Sequence, residues 1–312
     1  MNDLEQLEQK INELIEEKSI ARKIFTRTET REIPLESKDK SIKTILPKVG
    51  YIGQNFDEED SGYFLYIPSF ELMASSEEED EELIINEIVE RVCNYEEECA
   101  FRTLVAAATH NINFGKISVP PIYQMPSGDS AAGYLSKELI NRMIVGMKRL
   151  DRNLSILLVG NKEMDEIRSW TDKDINPDYR KELLDPKFNT IWNVNLLLIE
   201  NLNTKWNIND NKSQYYPFKG GWKDNNFNDY EVVNGRIFNN LGDLVREGET
   251  QIYGIDTKSG DLLMYAERFY LFKNNPRFYG TERIGMSIID SRSVSMGVIN
   301  RNQEEKQWTK TN

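Results

Sequence analysis

Few residues of this 312-residue chain have a type and spacing suited to covalent or metal chemistry. Its only histidine is His110, so a Ser–His–Asp or Cys–His site would have to be built around that residue. His110 falls near the end of a long helical pattern, where it reads as a helix-terminal or interface residue. The chain contains no GxxxxGK(S/T) phosphate loop, no GxGxxG and no GxSxG. Its two cysteines, Cys93 and Cys99, lie on one helical stretch, which puts their backbones about 9 Å apart, too far for a disulfide. They read as reduced, partly buried thiols, and without a CxxC pair zinc is not expected. Asp172, Asp174, Asn176 and Asp178 alternate like the start of a calcium loop. Pro177 then stands where that loop needs glycine, and Leu183 where it needs a bidentate glutamate. In so acidic a chain nothing singles out a carboxylate pair for glycoside chemistry. No residue is assigned a catalytic, cofactor-binding or metal-ligating role, no cofactor is expected, and no enzyme emerges.

Composition narrows the classes further. The formal net charge of −13 argues against a dedicated nucleic-acid binder, because phosphate recognition needs clustered Lys and Arg. With 39% hydrophobic residues the chain can bury a sizeable core, at a length suited to about two domains. No run approaches the roughly 18 apolar residues of a membrane span, and the acidic start is unlike a secretory signal. These features predict a soluble chain with no membrane partner.

The elements that would position any function change character sharply along the chain. Leu4, Leu7, Ile11, Leu14 and Ile15 keep three-and-four spacing in residues 1–21, an amphipathic helix that packs either on its own domain or on a partner. Residues 22–48 break into short extended pieces and read as an arm outside any domain. Residues 49–76 read as a two-stranded excursion turning at "FDEEDSG". An isolated hairpin is marginal in water, so this one needs a surface to lie on. Ser76 then reads as the N-cap of a long helix over about 82–110. Glu77 to Glu98 carries eleven acidic residues against one Arg, predicting a solvated acidic face. Alternating helices and apolar strands, among them "LSILLVG" and "NVNLLLIENL", predict a mixed α/β region from about Ala131 to Leu202. Residues 203–248 form an Asn-rich insertion with Trp206, Tyr215, Tyr216, Trp222 and Phe227, read as a surface insertion anchored by its aromatics. "QIYGID" and "LLMYAERFYLF" read as a strand pair around "TKSGD". "RIGMSIIDSRSVSMGVIN" (283–300) reads as a closing, half-buried hairpin.

This order of elements, and above all "YGTERIGMSIIDSRSVSMGVIN", resembles the major capsid protein of tailed bacteriophages, the Hong Kong 97 fold. The likeness extends back through "GDLLMYAERF" and, more loosely, through the long helix and "SILLVGNKEMDEI". About forty residues match closely. The resemblance implies an α+β fold laid out as follows: N-terminal helix 1–21, N-terminal arm 22–48 and extended loop 49–76. A peripheral domain over 77–130 carries the spine helix, an α/β axial domain over 131–249 carries the insertion at 203–248, return strands of the peripheral domain cover 250–290, and a closing strand and tail cover 291–312.

It also implies a protein that assembles with itself, into pentamers and hexamers of an icosahedral shell enclosing double-stranded DNA without specific binding. Scaffolding and portal proteins would be further partners, and the location would be the virion, assembled in a host cytoplasm. Some members of the family join subunits by a Lys–Asn isopeptide bond with the lysine on the extended loop. Here no lysine occurs between Lys48 and Lys116, so no such crosslink is expected. Two alternatives stay open: an encapsulin-type compartment shell, and a soluble α/β enzyme using carboxylates.

Overall fold

The computed structural model describes residues 3–35, 51–54, 63–67, 69–78, 80–113, 122–125, 133–170, 189–199, 202, 232–233, 236–237, 249–274 and 277–301. The chain opens with α1 (Asp3–Lys18), α2 (Ile20–Ile24), β1 (Thr26–Thr28), β2 (Glu32–Leu35), β3 (Tyr51–Gln54), β4 (Tyr63–Tyr66), β5 (Phe70–Ser76) and α3 (Glu81–Asn113). Next come β6 (Ile122–Gln124), α4 (Lys137–Arg149), β7 (Ile156–Val159), α5 (Asn161–Arg168), β8 (Thr190–Ile191) and β9 (Val194–Leu198). It continues through β10 (Val232–Val233), β11 (Arg236–Ile237), β12 (Glu249–Ile255), β13 (Leu262–Ala266), β14 (Tyr270–Asn274), β15 (Arg277–Ile288) and β16 (Val294–Asn300). Helix and sheet are mixed, as an α+β class requires. The chain divides into two compact units, Met1–Ala107 with Gly260–Ser291, and Ala108–Ser259 with Arg292–Asn312.

The first unit is organised by β15, which is twelve residues long. One of its edges pairs antiparallel with β5. Along the other edge β13 and then β14 pair with it in succession. Ala266 faces Ile284 and Tyr270 faces Thr281, so three residues on one strand, 267–269, lie opposite two on the other, 282–283. That is a bulge, which leaves backbone groups unpaired. Helix α1 fills the need: Asn12 Nδ2 donates to the Phe269 carbonyl and Asn12 Oδ1 accepts from the Phe269 amide, both at 3.0 Å. Glu8 accepts from the Leu271 amide on the exposed edge of β14. Leu7, Ile11 and Ile15 are buried at helical spacing. Of the two readings of this helix, packing on its own unit is the one observed. Phe269 is fully buried over Gly280, where an added Cβ would come within 2.5 Å of the Tyr270 carbonyl oxygen. Only glycine permits that approach.

Three expectations are corrected here. Residues 22–48 are not wholly an arm: β1 pairs parallel with β13, making it a strand of the main sheet. The long helix does not start at Ser76, which ends β5 opposite Phe278. Its cap is Asp80, whose carboxylate accepts from the amides of Glu82 and Leu83. The excursion at 49–76 does contain an antiparallel pair, β3 with β4, but β2 adds on the other side of β4 to make three strands. Ile67 anchors the chain just after it, packing with Leu263, Ile33, Tyr265 and Ile289.

The second unit is a six-stranded sheet in the order β6-β16-β12-β7-β9-β8. Helix α4 begins at an N-cap, Ser136, whose hydroxyl accepts from the Leu139 amide. It buries Leu139, Ile140, Met143 and Met147. Gly254 and Gly297 lie under this packing: added Cβ atoms would fall 2.7 Å from Leu154 Cδ1 and 2.9 Å from Met143 Sδ. The core continues through Leu157, Val159, Met164, Ile167, Leu196 and Ile252.

Neither apparent hairpin exists. β15 and β16 are consecutive but belong to different sheets, and so are β12 and β13. The pairing is nested: β13 with β15, and β12 with β16. The local alternation misleads because Ser287, Ser293 and Ser295 are buried too, on a second covered face. Small residues there mark close packing, where a half-buried hairpin would place them in solvent. Residues 250–255, expected among the return strands of a peripheral domain, lie in the second unit's sheet.

Candidate assembly surface

Among the described residues no cluster of His, Cys, Asp and Glu could hold a metal ion. Cys93 and Cys99 are both buried. Burial first, then the Glu96 charge, pushes the Cys93 thiol up to about 12, so it is no nucleophile at neutral pH. His110 lies on α3, but its side chain is outside the described residues, as are 172–183 and the five aromatics of the insertion. Among the described residues no helix is long and apolar enough to cross a membrane.

The acidic face of α3 departs from expectation at one residue. Glu78, Asp80, Glu81, Glu82 and Glu90 are exposed, but Glu96 is wholly buried. Its carboxylate takes two hydrogen bonds from Arg22 Nε, at 2.9 and 3.2 Å, and one from Nη2 at 2.6 Å. Arg22 also reaches Glu282 on β15 and Glu16 on α1, each at 2.5 Å. Opposing the effect of burial, the Glu96 hydrogen bond and charge raise the Arg22 guanidinium, fixing its positive charge. Sequence reasoning missed this node. Its signal is a parity one: on β15 Glu282 shares the inward face with Gly280 and Ile284, where a charge needs a buried partner. In the second unit Arg301 likewise bridges Glu163 and Glu166, one turn apart on α5.

The surface best suited to contact with another molecule is the outer face of the first unit's sheet. On β5, Leu72, Ala74 and Ser76 point inward and Glu71, Met73 and Ser75 outward. Register places Met73 beside Thr281 and Tyr270, and Ser75 beside Tyr279 and Phe272. Met73 is 64% exposed, Tyr270 50% and Phe272 45%. Phe272 stacks on Tyr279 with ring centroids 5.4 Å apart. Three adjacent strands thus present one apolar patch. Its rim is charge-balanced, with Arg277 paired to Glu77 at 2.6 Å and Arg268 to Glu8 at 2.9 Å. By contrast, Val145 and Leu198 of the second unit stand on separate elements, α4 and β9, as scattered surface apolar residues do.

No family model and no curated protein matches the sequence. Similar solved structures include a virus-like particle from Pyrococcus furiosus, at 12% identity and TM-score 0.47, covering 96% of this chain and 100% of that one. A phage-related protein from Bordetella bronchiseptica is similar at 11% identity and TM-score 0.46, covering 95% and 97%. The structure titled Mycobacterium phage Che8 is similar at 10% identity and TM-score 0.42, covering 91% and 92%.

Proposed function

We propose that this chain is a shell-forming structural protein, a phage-type major capsid protein that assembles with itself into pentamers and hexamers of a closed icosahedral head around double-stranded DNA. The observation that carries this reading is the outer face of the first unit's sheet, where Met73, Tyr270, Phe272 and Tyr279 form an apolar patch. Contiguous patches of this kind mark surfaces that become buried on association. The sequence resemblance in 279–300 supports the same reading. A closed shell uses one chain in heterologous contacts whose rotation closes. Net negative charge also suits a container that must not grip its DNA.

Size-exclusion chromatography with light scattering, then negative-stain microscopy, tests the assembly. Capsomers, shells, sheets or tubes are expected; a monomer that persists across salt, concentration and added scaffolding fractions overturns it. Met73→Glu should leave folding within about 0.5 kcal/mol and Phe272→Glu, which loses its stacking on Tyr279, within about 1.5 kcal/mol, while both abolish particles. Particles formed as well by these variants as by the parent chain would remove the patch from the interface. On denaturing gels, particles should run as one band near 36 kDa, since the excursion offers no lysine for crosslinking.

A further inference from the structure

The node around Arg22 is short of positive charge. Two carboxylates, Glu96 on α3 and Glu282 on β15, have side chains with 0% exposure, and one guanidinium serves both. Glu282 Oε2 is buried and has no hydrogen-bond partner. The groups facing Glu282 come from every element around it. They are Arg22 from α2, Arg27 from β1, Glu16 from α1 and Glu96 from α3. Leu72 opposite it on β5 is apolar. Arg27 is half exposed and already paired to Glu16 at 2.6 Å. Cys93, near Glu96 and Arg22, is neutral and adds no charge. An ionised oxygen without a partner in such a place is far costlier than a neutral carboxyl group.

We propose that this node is a proton-linked latch: when closed it carries one proton on the Glu96–Glu282 pair, and losing that proton frees α2 and β1 from α3 and β15. Desolvation, reinforced by the Glu96 charge and opposed by Arg22 and Arg27, pushes the Glu282 carboxyl up to about 8 from its ordinary 4.5. Between those values the folded chain holds a proton that the unfolded chain does not. The latch's contribution is therefore complete below about pH 4.5, declines as pH rises and is gone above about pH 8. The inference concerns the first unit alone and stands whether or not the chain builds shells.

Full-length protein and Glu282→Gln are compared by urea unfolding from pH 5 to 9.5, with hydrogen exchange of residues 20–28 corrected for its intrinsic pH dependence. Glutamine mimics the protonated acid. The unfolding constant of the parent chain, relative to the variant, should rise by up to tenfold per pH unit across the window and level off above it. Amides of 20–28 should open at pH 9 in the parent and stay protected in the variant. Parallel pH curves, or exchange that rises uniformly along the chain, overturn the latch. A Glu282→Gln chain unfolded at every pH also overturns it, since the closed latch must accept a neutral side chain there. Glu96→Gln is the independent check: it should lose the same pH dependence, and keeping it would overturn a shared proton.

Discussion

Each unit encloses an arginine among glutamates, and the two arrangements differ in what is left over. Around Arg301 nothing is. Its Nε donates to Thr250 Oγ1 and its Nη1 to the Gly133 carbonyl, and the remaining contacts go to Glu163 and Glu166. The glutamates gain further donors, the Thr250 hydroxyl at 2.9 Å and the Leu135 amide at 2.8 Å. Around Arg22 one guanidinium serves two enclosed carboxylates, and Glu282 Oε2 has nothing to bond. A complete buried ion cluster fixes geometry. An incomplete one is sensitive to whatever supplies the missing charge, and the cheapest supply is a proton.

The largest expected effect comes from removing the shared cation. Arg22→Leu should cost about 3–5 kcal/mol at pH 7, because two carboxylates lose their counter-ion. The loss should shrink at pH 5, where Glu282 carries its proton. Arg301→Leu should show a smaller change with pH, since Glu166 keeps a solvent edge. Urea midpoints at the two pH values measure both, and equal pH dependence would erase the contrast. Next comes Glu163→Gln, which weakens a fully bonded charge and should destabilise by about 1.5–3 kcal/mol, opposite in sign to Glu282→Gln above pH 8. Asn12→Ala leaves the Phe269 amide and carbonyl without their side-chain partner, for about 1–3 kcal/mol, and should accelerate exchange in α1 without altering pH sensitivity. Last, Asp80→Ala removes the cap of α3 and should cost about 1 kcal/mol, giving the baseline for a change that touches neither node.

Much of this architecture was legible in the sequence because its signals are local. The 3.6-residue spacing of Leu7, Ile11 and Ile15 marks α1, and continuous apolar runs mark β7 and β9. The long helix shows itself by length and by its acidic first turn. What escaped depends on partners remote in the chain. Alternation around Asp290 looks the same whether β15 folds back on β16 or each finds a partner upstream, as they do, β15 at 18–26 residues and β16 at 39–51. Glu96 sits in an acidic run that reads as solvated, and only Arg22, 74 residues earlier, changes its meaning. Of the candidate surface, the strands were legible. Their register, which brings Met73, Tyr270 and Phe272 onto one face, was not, because it depends on the bulge at 267–269.

The nested pairing also bears on how the protein is made. β16 lies in the interior of its sheet, flanked by β12 and by β6, so the second unit lacks a central strand until residue 300 has emerged. The first unit waits for β15 in the same way. At roughly 5–20 residues per second, reaching residue 300 takes on the order of 15–60 s, and for nearly all of that time neither sheet can close. A ribosome that stops before β15 therefore releases a chain with two open sheets, a substrate for proteolysis. Inspection is built into the topology: only chains that have passed through β15 and β16 can close both sheets.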